Sequence, residues 1–324
     1  MRIGYNTWSM ATVPYDVFIP GLAEIGYTAI AVSVVPGYGI GGKRVPNAAD
    51  LAILTPDDRR RIKEGFEGRG LELSALIGNQ PVIEDDAATS REYMARLRET
   101  IDLCVEVAPR GQAVPTMNTG SGGRPADFEA KKGQLVERLG ELATYAAQRG
   151  VIICIEPHVG AAIDTPERSE WLVQTVDHPH LRLDFDVSHF EVVGIPLEES
   201  VPRLAPLASS VEIKDQNLRY PGDPPREGWR IEGNGLGRAT APDGREVEYQ
   251  FLLGGEGDFD LPKYLRMMQT AGWTGAIGFE AKKGQLVERL GELAAYAAQR
   301  GVIICIEPHV GAAIDTPERS EWLV

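Results

Sequence analysis

Short apolar runs alternate with longer segments of helical period along the first 280 residues. The runs RIGYNTW (2–8), AIAVSV (29–34), ELSALIG (72–78), AVPTMN (113–118), VIICIE (151–156), LRLDFD (181–186), SVEIKD (210–215) and AIGFE (276–280) predict eight strands. The helical segments are clearest between Gln134 and Arg149, where Leu135, Leu139, Leu142 and Ala146 recur at spacings of four, three and four. Gly150 follows as the stop. Thr165-Pro166-Glu167 and Asp260-Leu261-Pro262 read as helix starts, each a capping side chain followed by proline in the first turn. Eight strands, each but the last leading through a helix to the next, predict an α/β fold, a (β/α)8 TIM barrel over residues 1–280. An open doubly wound sheet is the competing arrangement, but no GxGxxG follows the first strand.

The pattern then repeats itself. Residues 279–324 reproduce 128–173 with one difference, Thr144 against Ala295. Such identity marks a recent duplication, a recombination product or an assembly error, not an ancient repeat or a solenoid. The tail, 281–324 against 130–173, is expected to supply the last outer helix of the barrel. Its strand, the second VIICIE at 302–307, is expected to be left unpaired, an association hazard.

Composition narrows the function. The 324-residue chain carries a formal net charge of −14, which disfavours a nucleic-acid partner, since phosphate binding needs a basic face. No apolar run approaches the roughly 20 residues of a membrane span, and the N-terminus lacks a signal-peptide pattern, so a cytoplasmic protein is expected. Cys104, Cys154 and Cys305 lie in apolar surroundings without CxxC spacing and are expected to be reduced and structural. A homo-oligomer is compatible with the sequence.

Candidate chemistry gathers at the C-terminal ends of the strands, where active sites of such barrels form. The fifth strand ends in Glu156, with His158 two residues on; the sixth carries Asp184 and Asp186, then His189. The seventh supplies Glu212, Lys214 and Asp215, and the eighth Glu280. Glu156, Asp186, Glu212 and Glu280 therefore end four consecutive strands. Crowded carboxylates repel one another and take up protons unless a cation joins them. Oxygen donors suit one divalent metal ion, manganese or magnesium first, with cobalt or zinc as alternatives. The bland readings are a Lys214–Asp215 surface pair, a turn role for His158, and Asp184 held by a lysine or arginine of a neighbouring strand. His178 and His180, separated by proline in a loop, are read as solvent-exposed.

The segments IEPHVG, LDFDVSHF, VEIKDQ and GEGDFDLPKYLRMMQTAGWTGAIGFE resemble the xylose-isomerase-like barrels of sugar isomerases and epimerases. The resemblance covers roughly residues 1–280 and implies a metal held by Glu156, Asp186 and Glu280. At the fourth position Glu212 stands where the family usually has histidine, and Ala31 stands where many relatives carry glutamate. The implied reaction is proton transfer beside a metal-polarised carbonyl of a ketose or keto-polyol, by way of an enediolate. Glu156 and Glu280 remove and return the proton, His189 holds a substrate oxygen, Lys214 neutralises developing charge and His158 contacts substrate. A dehydratase or lyase on the same site and a catalytically degraded barrel are the alternatives; a DNA-repair endonuclease fares worst. The polar stretch 217–256 reads as a lid, with Trp229 and Arg230 as candidate substrate contacts, or as a loose insertion.

Overall fold

The apolar runs become parallel strands because helices cover one face and neighbouring strands the other. A computed structural model describes residues 3–10, 13–40, 43–224, 229, 236–241, 243–252, 257–277 and 303–306. In chain order the strands are β1 (Ile3–Asn6), β2 (Ala29–Ser33), β3 (Gly37–Ile40), β4 (Lys43–Pro46), β5 (Glu72–Ile77), β6 (Thr116–Gly120), β7 (Ile153–Glu156), β8 (Leu181–Asp186), β9 (Ala208–Glu212), β10 (Asp215–Arg219), β11 (Leu236–Thr240), β12 (Glu246–Leu252), β13 (Ala276–Ile277) and β14 (Ile303–Ile306). The helices are α1 (Tyr15–Ile25), α2 (Pro56–Glu67), α3 (Ala87–Val107), α4 (Phe128–Ala147), α5 (Pro166–Val176), α6 (Ser188–Glu191), α7 (Leu197–Leu204) and α8 (Leu261–Thr270).

All eight expected strands are present in one parallel sheet, ordered β13-β14-β1-β2-β5-β6-β7-β8-β9, and β13 also touches β9. This is a TIM barrel. The ninth strand corrects the reading of the repeat. Ile303–Ile306 is not unpaired: β1 lies along it in register (Ile3 with Ile304, Tyr5 with Ile306), and Ala276 and Ile277 of β13 flank its other side. The outer helix expected from the tail, over residues 284–300, lies outside the described residues.

Two boundaries move for identifiable reasons. β6 begins at Thr116 instead of Ala113, because Pro115 cannot donate to a ladder. β9 ends at Glu212; Ile213 and Lys214 turn the chain out of the barrel into β10, which pairs antiparallel with β12. The stretch read as a lid or loose insertion thus contributes to a three-stranded sheet, β10-β12-β11. The hairpin β3–β4 was not anticipated either.

The helices follow their predicted faces. Leu135, Leu139, Leu142 and Ala146 of α4 are fully buried against the sheet, each leucine contributing about 1.5–3 kcal/mol. Thr165 accepts the Arg168 amide at 3.3 Å at the start of α5, and Asp260 accepts that of Lys263 at 3.0 Å at the start of α8. Among the described residues no helix is long and apolar enough to cross a membrane. Cys104 and Cys154 are free thiols, completely buried, and burial pushes both well above the usual thiol range.

Two predictions come from this architecture. Removing residues 301–324 strips β1 and β13 of the ladders made by β14, so the shortened chain is expected to melt about 5 °C or more below the full chain. It is also expected to self-associate through the freed edge of β1; unchanged melting and elution from a sizing column would refute the role of β14. In native protein, Cys104 and Cys154 are expected to resist a thiol reagent that labels them at once in urea, read by mass spectrometry of the labelled peptides.

Candidate metal centre

Strand alternation determines what faces the barrel mouth. In β8 residues two apart share a face, so Asp184 and Asp186 both point inward. Asp186 is fully buried and its two oxygens have separate tasks. Oδ1 accepts the Ser188 amide at 2.9 Å and its hydroxyl at 2.6 Å, which starts α6 immediately after the strand. Oδ2 accepts the Lys214 ammonium at 2.6 Å.

That tight turn brings His189 back over the strand ends. Its Nε2 lies 3.1 Å from Glu156 Oε1, at the end of β7, and 3.5 Å from Asp186 Oδ2. Its Nδ1 is buried with no hydrogen-bond partner among the described residues. Glu156, Asp186 and His189 each offer a ligand atom, all within 4.8 Å of one another. Burial raises both carboxyls, but hydrogen bonding and attraction from neighbouring groups outweigh it: His189 and then Lys214 for Glu156, Lys214 and then His189 for Asp186. Both carboxyls are held below the usual carboxylate range.

His158 stacks on His189 with ring centroids 3.8 Å apart. It stands deep in the barrel mouth, yet its ring is open to a cavity of about 280 Å³ that it lines with Glu156, Glu212 and Lys214. Its Nδ1 lies 2.8 Å from the Val159 carbonyl oxygen, which can only accept, so Nδ1 carries the proton. Burial, and secondarily His189, push His158 down to about 4.

The other expected residues divide. Glu212 lines the same cavity and accepts the Asn6 amide at 3.0 Å, but it is not one of the three that converge. His189, expected to hold substrate, stands at ligand distance from the two acids. Glu280 and Arg230 lie outside the described residues, as does Glu307 of the second copy. Asp184 accepts the Asn118 amide at 2.8 Å. The Lys214–Asp215 pair does not form as supposed, since Lys214 reaches back to Asp186.

Asp215 instead accepts the backbone amides of Gln216 (2.8 Å), Gly257 (3.0 Å) and Phe259 (3.1 Å). One carboxylate therefore binds the exit of the chain from the barrel to its return. A Cβ on Gly257 would collide with this carboxylate and with the Gln216 backbone, so the return fits only glycine. Held this way, β12 delivers Phe251, whose ring meets His189 edge-on at 5.4 Å and lies 5.6 Å from Lys214 Nζ. Sequence reasoning missed Phe251. The polar–apolar alternation over residues 246–251 was the signal that could have found its strand.

With fold and site in view, comparison with known proteins is direct. The profile of the xylose isomerase-like TIM barrel family matches residues 21–285, and the chain belongs to that family. A Mus musculus protein named "Putative hydroxypyruvate isomerase" is 24% identical over 221 residues, 64% of this chain and 68% of the relative. Among solved structures, the IOLI protein with a bound zinc atom superposes with a TM-score of 0.64 at 17% identity, over 99% of this chain and 94% of that one. The 3-keto-D-glucoside 4-epimerase YcjR from E. coli gives 0.63 at 11% identity, over 100% and 97%. Proteins named as isomerases and epimerases thus share this architecture.

The buried pair makes a stability prediction. Lys214→Met leaves Asp186 without its ammonium and is expected to cost about 3–5 kcal/mol, whereas pairing it with Asp186→Leu is expected to recover most of the loss. Urea midpoints of both single variants and the double variant, in the presence of a chelator, decide it; a double-variant loss equal to the sum of the two single losses would show that the pair is not coupled.

Proposed function

We propose that the protein is a divalent-metal-dependent isomerase or epimerase of a small ketose or keto-polyol. The observation that carries this reading is the convergence of Glu156, Asp186 and His189 at the mouth of the cavity. The donor set suits a divalent ion: two carboxylates held ionised, and an imidazole whose buried Nδ1 has no protein partner among the described residues. Glu156 and Asp186 would hold the metal with Glu212 and Glu280, His189 standing close enough to join them. Manganese or magnesium fits the oxygen-rich set, and the imidazole widens it to zinc or cobalt. The names of the similar proteins, an isomerase and a sugar epimerase, support the reaction class.

When bound, the metal supplies Lewis-acid polarisation of a carbonyl and its neighbouring hydroxyl. The protein's own groups do the rest. Glu156, held ionised, would take the proton from the carbon next to that carbonyl, and Glu280 would return one. His158 Nε2 bonds a substrate oxygen, fixing a hydroxyl beside the reacting carbons. Lys214 sets its ammonium where negative charge develops on oxygen. Phe251 keeps bulk water from the Lys214–Asp186 pair, so both charges act at short range in a poorly screened site.

Manganese titration of chelator-treated protein, followed by calorimetry, tests the reading. About one ion per chain is expected, and Asp186→Asn or Glu156→Gln is expected to weaken binding at least about 10- to 100-fold. In deuterated water, the metal-loaded enzyme is expected to wash deuterium into its ketose at the carbon beside the carbonyl, seen by proton NMR. Failure of the protein to bind any of manganese, magnesium, zinc or cobalt would overturn the proposal. A second ion would implicate the repeated IEPH.

A further inference from the structure

A second cavity, of about 520 Å³, opens at the other end of the barrel, where the strands begin. Its size falls within the range of small-molecule sites, roughly 300–1,000 Å³. Val114, Ile152, Pro206 and Trp273 give it apolar walls, and Thr116 and Ser209 add hydroxyls. The end of α8 brings Trp273 there. Gly272 takes a left-handed φ of +81°, its N–H donates to the Gln269 carbonyl at 3.0 Å, and the N–H of Trp273 donates to that of Met268 at 3.0 Å. The indole then lies against Gly275, where a Cβ would come within 2.7 Å of the ring. A half-buried aromatic side chain is thus set into the cavity wall by a fixed turn.

A chain of hydrogen bonds through the barrel decides what Thr116 can offer a ligand. Thr116 and Asn118 are two apart in β6 and share its inner face. Asn118 Nδ2 donates to Asp184 Oδ2 at 2.8 Å and to Ser210 Oγ at 3.0 Å. With the NH2 end of the amide used there, its Oδ1 faces Thr116 Oγ1 at 2.7 Å. An amide oxygen can only accept, so the threonine proton is committed to it. What Thr116 has left is acceptor capacity. The buried Cys154 thiol lies beside the same hydroxyl, but a thiol is a weak donor and occupies at most one of its two lone pairs. A ligand that meets Thr116 must therefore bring a donor. Among the described residues no cationic side chain lines the cavity, so an anionic group finds no partner in it.

We infer that the cavity at the base of the barrel is a second binding site, and that it takes an uncharged, flat aromatic compound carrying a hydroxyl or N–H donor. The aromatic body packs against Trp273, Val114 and Ile152, and the donor bonds Thr116 Oγ1. The site lies at the strand starts, apart from the metal centre at the strand ends, and its ligand is of a different class from a ketose or polyol.

Equilibrium dialysis of the full-length protein tests it. The probe is 2-naphthol; 2-methoxynaphthalene lacks the donor and 2-naphthoate carries a negative charge. Saturation is expected at about one 2-naphthol per chain, with binding at least about tenfold tighter than that of either analogue. In protein carrying isotope-labelled tryptophan, the indole N–H signal of Trp273 is expected to move as the site fills. Val114→Trp fills the cavity, and Thr116→Val removes the acceptor while keeping the side-chain volume. Each is expected to weaken 2-naphthol about tenfold or more, with circular dichroism confirming that the variant is folded. Binding that does not saturate near one per chain, equal binding of either analogue, an unmoved Trp273 signal, or wild-type affinity in a folded variant overturns the inference. Every measurement is made with chelator present, so failure here leaves the metal-dependent reading untouched.

Discussion

A carboxylate that water cannot reach governs the mouth of this barrel. Asp186 is fully buried, and an ionised acid in such a place survives only with a partner and satisfied oxygens. Each oxygen does something beyond neutrality. The one bonded to Ser188 starts α6 within two residues of the strand end, which is why His189 folds back to meet Glu156. The one bonded to Lys214 draws that side chain inward at the point where the chain leaves the barrel. The positions of the imidazole and the ammonium both descend from how one side chain is satisfied.

The excursion β10–β12 belongs to the same arrangement. Its anchor, Asp215, is the residue after Lys214, so the strand that carries the ammonium also carries the carboxylate that pins the returning chain at Gly257 and Phe259. Ladder register then places Phe251 opposite Gln216, one step from the anchor. An aromatic ring from outside the barrel thereby reaches His189. The site is built jointly by the strand ends and by a small sheet that is not part of the barrel.

Much of this was legible in the sequence, and for stated reasons. Apolar runs bounded by helical patterns marked all eight strands, because period and burial are local properties. Glu156, Asp186 and Lys214 were legible as site candidates because their place at strand ends follows from counting. His189 was legible as a site candidate as well, but its approach to Glu156 depends on a turn whose tightness the string of residues does not declare. Phe251 was missed for a related reason: the alternation of its strand is visible, but its approach to His189 depends on pairing across an excursion.

The repeated segment has one further implication. Two stretches of identical sequence, Ile153–Glu156 with its neighbours and Ile303–Ile306 with its own, serve as staves between different pairs of strands in one barrel. Their ladders are made by backbone groups that do not distinguish the copies, so the slot between β6 and β8 offers either copy the same partners. What separates them is connectivity alone: α4 leads directly into β7, and α5 and β8 follow it. During refolding the chain therefore faces two nearly degenerate assignments whose energies differ through loop closure more than through contacts. A barrel that grows by copying one of its own staves gains a strand and, with it, a rival for a place already taken.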